Sequence, residues 1–411
     1  MADSIKVAVL GGSGVATPEL IDTLSRYPER PAVHVALIGR SEDKLKSVAA
    51  MCERLAAKAT PSITVSAHTD PNAGLDGADY ILNQIRVGGY KERAYDETFP
   101  RQFGVPGEET VGPGGMNMAL RTIPVVLELC EAVEHVAPDA LFINLTNPSS
   151  MVQYAIQCAS RLNVISVCDL PIMAERMIAA ALNAPIEELA IRYTGMNHFG
   201  WVTSVRWHGQ DQMPALMDKV ADLPGVTIEP DIVRALGVLP TSYFKFIYHS
   251  NRVLESQQGK RARADELLEL EAEILKAYES GDLSEKPDSL VKRSAAWYDH
   301  MIVPVLLAHA NDTGETRYLQ VTNGHAVPFM PSQSIIEVPC IIRRSGILPL
   351  AYDGGLPPDL ESMLLANATF EMLWVDAIME RSYAKALRAM LINPLISNYD
   401  QAKTLLDTIW H

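Results

Sequence analysis

Short apolar runs separated by amphipathic stretches fill the first half of the chain. Runs at residues 6–10, 33–38, 63–65, 77–84, 140–145 and 164–167 end in glycine, proline or small polar residues and predict strands. Between them, apolar positions at helical spacing predict helices over residues 19–24, 43–58, 119–136, 151–161 and 172–182. A repeated strand and helix order builds an open α/β sheet, which binds ligands at the carboxyl ends of its strands. Residues 95–115 break the pattern with a polar, glycine- and proline-rich stretch, read as a long functional or mobile loop. Beyond residue 198, longer helices with fewer strands are expected. They comprise an aromatic helix over 239–248, a charged one over 262–279, another opening at Lys292, a strand over 334–342 and helices over 359–410.

At 411 residues, 48% of them hydrophobic, the chain can fill two domains or one large unit. No run approaches the ~18 apolar residues of a membrane span. Residues 1–6 lead into the first strand rather than into a signal core. Five scattered cysteines, Cys52, Cys130, Cys158, Cys168 and Cys340, fit a reducing compartment, so a cytoplasmic protein away from the membrane is expected. A net charge of −15 argues against general nucleic-acid binding while leaving room for a basic pocket for a small anion.

Three strand ends carry candidate chemistry. The first is Gly11-Gly12-Ser13-Gly14 before a helix, the order in which backbone N–H groups receive a dinucleotide pyrophosphate. Thr17 stands where the strict motif has its last glycine, so a tight turn without a ligand is the alternative. The second strand ends in Gly39-Arg40-Ser41, without the acid that binds the adenosine ribose of NAD. Arg40 suits the 2′-phosphate of NADP or a place over the adenine ring, and a solvated helix-entry arginine is the ordinary reading. The third is Cys168 at one strand end with His198 on a later one: a thiol and an imidazole can share a metal ion and leave positions for substrate. A buried cysteine and a hydrogen-bonded core histidine are the plain alternative.

Ordered motifs along nearly the whole chain resemble those of the family-4 glycoside hydrolases. They are Gly11-Gly12 with Thr17-Pro18-Glu19-Leu20, Arg86-Val87-Gly88-Gly89, Gly112-Pro113-Gly114-Gly115, Thr146-Asn147-Pro148, Cys168-Asp169-Leu170-Pro171, Gly195-Met196-Asn197-His198, Leu239-Pro240 with Tyr243, and Asn323-Gly324. The resemblance implies an α/β fold, with a Rossmann-like parallel-sheet domain at residues 1–195 and a second α/β domain at 196–411. It implies NAD, with NADP possible, and a divalent metal, usually Mn2+, held by Cys168 and His198. It implies a homodimer or homotetramer acting on a phosphorylated disaccharide or glucoside. Hydrolysis in that family starts with C3 oxidation of the sugar by NAD, followed by removal of the C2 proton by the base matching Tyr243. Elimination, water addition and hydride return then leave no net redox change, outside the usual two-carboxylate scheme.

Gly11, Gly12, Ser13, Gly14 and Arg40 are the expected dinucleotide contacts. Arg86 and Arg293 are candidates for the substrate phosphate, because guanidinium offers a two-pronged grip, and Asn147 and Asn197 for sugar hydroxyls. Asp265 is read as a solvated helix residue rather than a partner of the base. Asp169 matches the family's 6-phospho-α-glucosidases, in which the aspartate is the acid for the leaving group. Arg86-Val87-Gly88-Gly89 and Arg121-Thr122-Ile123-Pro124 look like the 6-phospho-β-glucosidases. The whole-chain likeness leans to the β-anomer. A net NAD(P)-dependent sugar or hydroxy-acid dehydrogenase is the alternative function.

Overall fold

The structure, a computed structural model, describes residues 4–280, 286–352 and 354–410. The first three residues of the amino-terminal stretch lie outside them. The apolar runs form β1 (Ser4–Leu10), β2 (Ala32–Ile38), β3 (Ile63–His68), β4 (Tyr80–Asn83), β5 (Leu141–Asn144) and β6 (Asn163–Ser166). They pair in parallel in the order β3-β2-β1-β4-β5-β6. β4 and β5 are buried at every position, which is why their first three residues are apolar rather than alternating, and their buried last residues pair, Asn83 Nδ2 donating to Asn144 Oδ1 at 2.9 Å.

The same sheet continues with β7 (Leu189–Met196), β8 (Phe199–Trp207), β9 (Gln210–Asp211), β10 (Leu239–Pro240), β11 (Thr316–Thr322), β12 (Ile335–Arg343) and β13 (Gly346–Pro349). From β6 it runs antiparallel through β11, β12, β7, β8 and β10, with β9 and β13 on side branches. A Rossmann-like parallel half is thus extended by a second α/β half, as the sequence leads one to expect. The joins β6–β11 and β12–β7 are single residue pairs, Ser166 with Gln320 and Gly195 with Glu337. Polar side chains satisfy one another across them. Ser149 Oγ donates to Gln320 Oε1 (2.7 Å), Gln320 Nε2 to Glu337 Oε1 (2.9 Å) and Tyr193 Oη to Glu337 Oε2 (2.8 Å).

Residues 95–115 are not one long loop, since only 104–111 lie outside helices. A helix over Gly89–Thr98 passes into a 3-10 turn over Phe99–Phe103, and the next helix opens at Gly112 rather than at Ala119. A Cβ on Gly114 would stand 2.0 Å from Glu108 O and 2.5 Å from Asp96 O, so glycine here marks close backbone packing. The polar residues are partnered: Arg93 Nε donates to Glu97 Oε1 at 2.7 Å and Arg121 Nη1 to Asp96 Oδ1 at 2.9 Å. β8 is nine residues long where fewer strands are expected, because Phe199 and Trp201 pack edge-on and both meet Phe244. The aromatic stretch around Tyr243 splits into β10, a 3-10 turn over Ser242–Phe244 and a short helix over Lys245–Tyr248. Arg293 closes the helix Asp288–Arg293 instead of sitting at the start of one, since Ser294 takes φ +57°. No helix among the described residues is long and apolar enough to cross a membrane.

Candidate active site

Residues at or after the carboxyl ends of β1, β2, β4, β5 and β6 line one cavity of about 1200 Å3. A typical small-molecule pocket holds ~300–1,000 Å3, so this one has room for a dinucleotide together with a sugar. Gly11, Ser13 and Gly14 line it. Gly12 does not, because it packs behind the turn: a Cβ there would come within 2.8 Å of Leu37 Cα and Ile38 N. Among the described residues, no acceptor takes the backbone N–H of Ser13, Val15 or Ala16, residues that all line this cavity. Unpaired N–H groups of this kind are rare, and three beside a glycine turn suit an anionic ligand. Below them Gln84 Nε2 donates to Thr17 Oγ1 (3.0 Å), and Tyr298 Oη donates to Gln84 Oε1 (2.6 Å).

Cys168, Asp169 and His198 line the same cavity. His198 occupies the two-residue turn between β7 and β8 at φ +61°, a backbone conformation that costs a non-glycine residue energy. The local hydrogen bonds set which ring nitrogen carries its proton. Glu108 Oε2 accepts from the backbone N–H of Thr110 (2.5 Å) and of Val111 (3.0 Å), so it can only be an acceptor. Thr110 Oγ1 therefore donates its single proton to Glu108 (2.6 Å) and turns a lone pair to His198 Nδ1 (2.9 Å). Nδ1 must carry hydrogen, which leaves Nε2 with a free lone pair.

Burial pushes the imidazole down to about 4, against a weaker opposing pull from Glu109, so it is neutral at ordinary pH. Burial pushes the Cys168 thiol well up, with Glu337 and Asp169 adding to the effect. Burial also raises Asp169 and Glu108, the latter helped by Glu109. Glu109 alone is depressed: burial works against it, but Arg86 and Arg93 outweigh burial. This end of the cavity thus collects acids whose ionisation burial makes harder, a setting a bound cation would relieve.

Its donors fit a divalent ion. Thiolate and neutral imidazole are both good ligands, and the buried Asn197 Nδ2, an amide donor with no partner in hydrogen-bond geometry, lowers the Cys168 thiol against its burial. Among the described residues no cluster of three or more His, Cys, Asp or Glu is arranged to hold a metal.

Tyr243 and Asn197 line not this cavity but a neighbouring one of about 40 Å3, and His198 forms the wall between the two. The Tyr243 ring stacks on His198 with centroids 3.9 Å apart and planes 18° from parallel. Burial, Glu108, Cys168 and Glu109 all push its phenol well up, with only Thr110 opposing.

Arg86, Asn147 and Arg293 meet in the large cavity although they come from both halves of the chain. Tyr90 links the arginines: Arg86 lies over its ring at 5.8 Å, and Arg293 Nη2 donates to its hydroxyl at 3.2 Å. Arg86 is ion-paired with Glu109, whereas Arg293 Nε is buried without a partner. Arg121 braces this loop by donating to Val87 O (3.0 Å). Arg40 lines the far wall, and Asp265 lies in neither cavity, accepting instead from Ala262 N (3.1 Å) at a helix start. Sequence reasoning missed Glu108, Thr110, Tyr90 and Tyr298. Only Gly107-Glu108-Glu109-Thr110, inside the stretch singled out as functional or mobile, offered a signal.

The Family 4 glycosyl hydrolase model matches residues 6–184, and the Family 4 glycosyl hydrolase C-terminal domain matches 193–396. A probable 6-phospho-beta-glucosidase of Bacillus subtilis is 31% identical over 99% of this chain and 96% of its own. A 6-phospho-alpha-glucosidase of Leptotrichia buccalis is 30% identical over 98% of this chain and 96% of its own. The 6-phospho-beta glucosidase of Thermotoga maritima, solved with manganese, NAD+ and glucose 6-phosphate, superposes with a TM-score of 0.89 at 26% identity, covering 98% of this chain and 97% of its own. With both halves matched in order and a shared fold end to end, the chain belongs to the family 4 glycosyl hydrolases.

Proposed function

We propose that the chain hydrolyses 6-phospho-glucosides, preferring the β-anomer, with a nicotinamide dinucleotide and a divalent cation such as Mn2+. One observation carries this reading: Cys168, Asp169 and His198 share a single cavity with the glycine turn and with Arg86, Asn147 and Arg293. The ligands of the Thermotoga relative support it. When bound, the two cofactors supply reversible oxidation at C3 of the sugar and Lewis-acid help for losing the C2 proton.

The chain's own residues do the rest. Cys168 Sγ and His198 Nε2 would hold the cation, and Tyr243 Oη, stacked behind the His198 ring in the smaller cavity, is the candidate base for the C2 proton. Asp169, whose carboxyl burial keeps protonated to higher pH, gives its proton to the departing glycosidic oxygen. Water then adds across the C1–C2 double bond, and reduction of the C3 ketone, the reverse of its oxidation, completes hydrolysis without net redox. Arg293, with its unpaired Nε, and Arg86 grip the 6-phosphate, while Asn147 and Asn197 orient hydroxyls. In this reading residues 1–195 bind the dinucleotide, and residues 196–411 complete the cation site and pack a cytoplasmic homodimer or homotetramer.

Asp169 favours a second reading, the α-anomer, because an aspartate after the cysteine matches the family's 6-phospho-α-glucosidases. The test is to incubate the chain with p-nitrophenyl α- and β-glucoside 6-phosphates, dinucleotide and Mn2+, following both nitrophenolate and reduced cofactor. Nitrophenolate without accumulating reduced cofactor is expected, faster from the β-substrate. One reduced cofactor per substrate would overturn hydrolysis in favour of a dehydrogenase.

A further inference from the structure

The geometry points to NADP+ rather than NAD+ as the preferred dinucleotide, with Arg40 gripping its 2′-phosphate; the inference rests on the dinucleotide reading of the large cavity. The end of β2 is locked to the glycine turn, since Gly11 N and Gly12 N both donate to Ile38 O at 3.1 and 2.8 Å. Arg40, two residues further on, lines the same cavity as the unpaired N–H groups of that turn. At this position a carboxylate accepts from the ribose 2′-hydroxyl of NAD, whereas an arginine accommodates the 2′-phosphate of NADP. Here the residues are Gly39-Arg40-Ser41, with no carboxylate among them.

The surrounding charges support the same ligand. Arg40 is exposed and makes no ion pair or hydrogen bond with any described residue, so its guanidinium is unspent. Ser41 makes no side-chain bond to the start of the helix Glu42–Ala56, which leaves its hydroxyl free to donate. Lys44 lines the same wall but is bonded to Glu271 at 2.8 Å. Glu128, which also lines the cavity, pairs with neither cation, and Glu42 and Asp43 do not line it. A doubly charged phosphate therefore meets one free two-pronged cation and a hydroxyl, while a bare ribose finds no carboxylate to accept its hydroxyl proton.

The test titrates the full chain with NADP+ and with NAD+ at low salt, by calorimetry or by fluorescence of Trp297, which lines the cavity. Paired titrations with 2′,5′-ADP and 5′-ADP isolate the phosphate. NADP+ is expected to bind about tenfold more tightly or better, the worth of a charge-assisted contact. Arg40→Ala should collapse that ratio at least about tenfold, and Arg40→Lys should retain part of it. Equal or tighter binding of NAD+, or a ratio unmoved in Arg40→Ala, would overturn the preference alone. Failure of both dinucleotides to bind would overturn the dinucleotide reading with it.

Discussion

The two ends of the large cavity are built on opposite electrostatic plans. At the glycine turn the side chains running from Tyr298 through Gln84 to Thr17 are neutral and satisfied, the backbone N–H groups of Ser13, Val15 and Ala16 are open, and the free charge is the exposed Arg40. At Cys168 and His198 acids crowd together, and burial raises Glu108, Asp169 and Glu337 while only Glu109 has arginines enough to stay low. The first end is complete enough to bind a ready-made anion. The second is unfinished without a cation, because thiol and phenol are both held protonated by burial and by neighbouring acids. Substitutions at the two ends should therefore differ in kind, in affinity at one and in rate at the other.

The largest difference is expected at Tyr243. With its phenol raised by burial, Glu108, Cys168 and Glu109, the base works only when a cation offsets those acids. Tyr243→Phe removes the proton acceptor and should lower kcat by about 10²–10⁴. Solvent deuterium should also stop entering C2 of the product, while dinucleotide affinity holds. Turnover within about tenfold of the parent, with deuterium still entering, would move the base elsewhere.

This contrast also tracks what the sequence made legible. The inner parallel strands were readable as short apolar runs because they are buried on both faces, whereas the edge strand β3 alternates Ile63, Val65 and Ala67 with Thr64, Ser66 and His68. Cys168, His198 and Arg40 were readable because each follows a strand end. Thr110 and Glu108 were not, because their roles come from backbone N–H groups converging on one carboxylate oxygen, which no residue pattern records. Glycines at 114 and 115 suggested a loop where they mark tight packing, and composition alone does not separate the two. Tyr243 was placed by family likeness, and its lodging behind the His198 ring followed only from the fold.

A smaller effect concerns pH. Burial raises Glu371 from the ordinary 4.5 to about 7, against hydrogen bonds from Ser150 and Asn367, and Glu337 is raised likewise to about 7. Both lie behind the chemical end, Glu371 on the wall of the small cavity it shares with Tyr243. An acid raised on folding takes up a proton as the chain folds, so stability is fullest below pH 4.5 and falls as pH climbs to about 7. The fall is at most about 3 kcal/mol for each group. Glu371→Gln should remove its share, flattening denaturant midpoints measured between pH 5 and 8. An unchanged slope would mean that Glu371 ionises freely.

The smallest effect probes the hydrogen bond that sets the His198 tautomer. Thr110→Val keeps the side chain's shape but leaves Nδ1–H facing a methyl group, so the proton can move to Nε2, the nitrogen needed for the cation. In the metal-free protein, 15N spectra should show His198 protonated at Nδ1 in the parent and as a mixture in the variant, with Thr110→Ser restoring the parent pattern. Mn2+ affinity should fall about tenfold, the usual worth of a residue that orients a metal-binding histidine. Dinucleotide affinity should not move, because the glycine turn shares no hydrogen bond with Thr110. If the variant weakened dinucleotide and cation alike, the two ends would be one coupled site. If the tautomer shifted and the cation bound as before, His198 would not be its ligand. A loss confined to the cation, with the spectral change beside it, is the pattern that keeps the two ends separate.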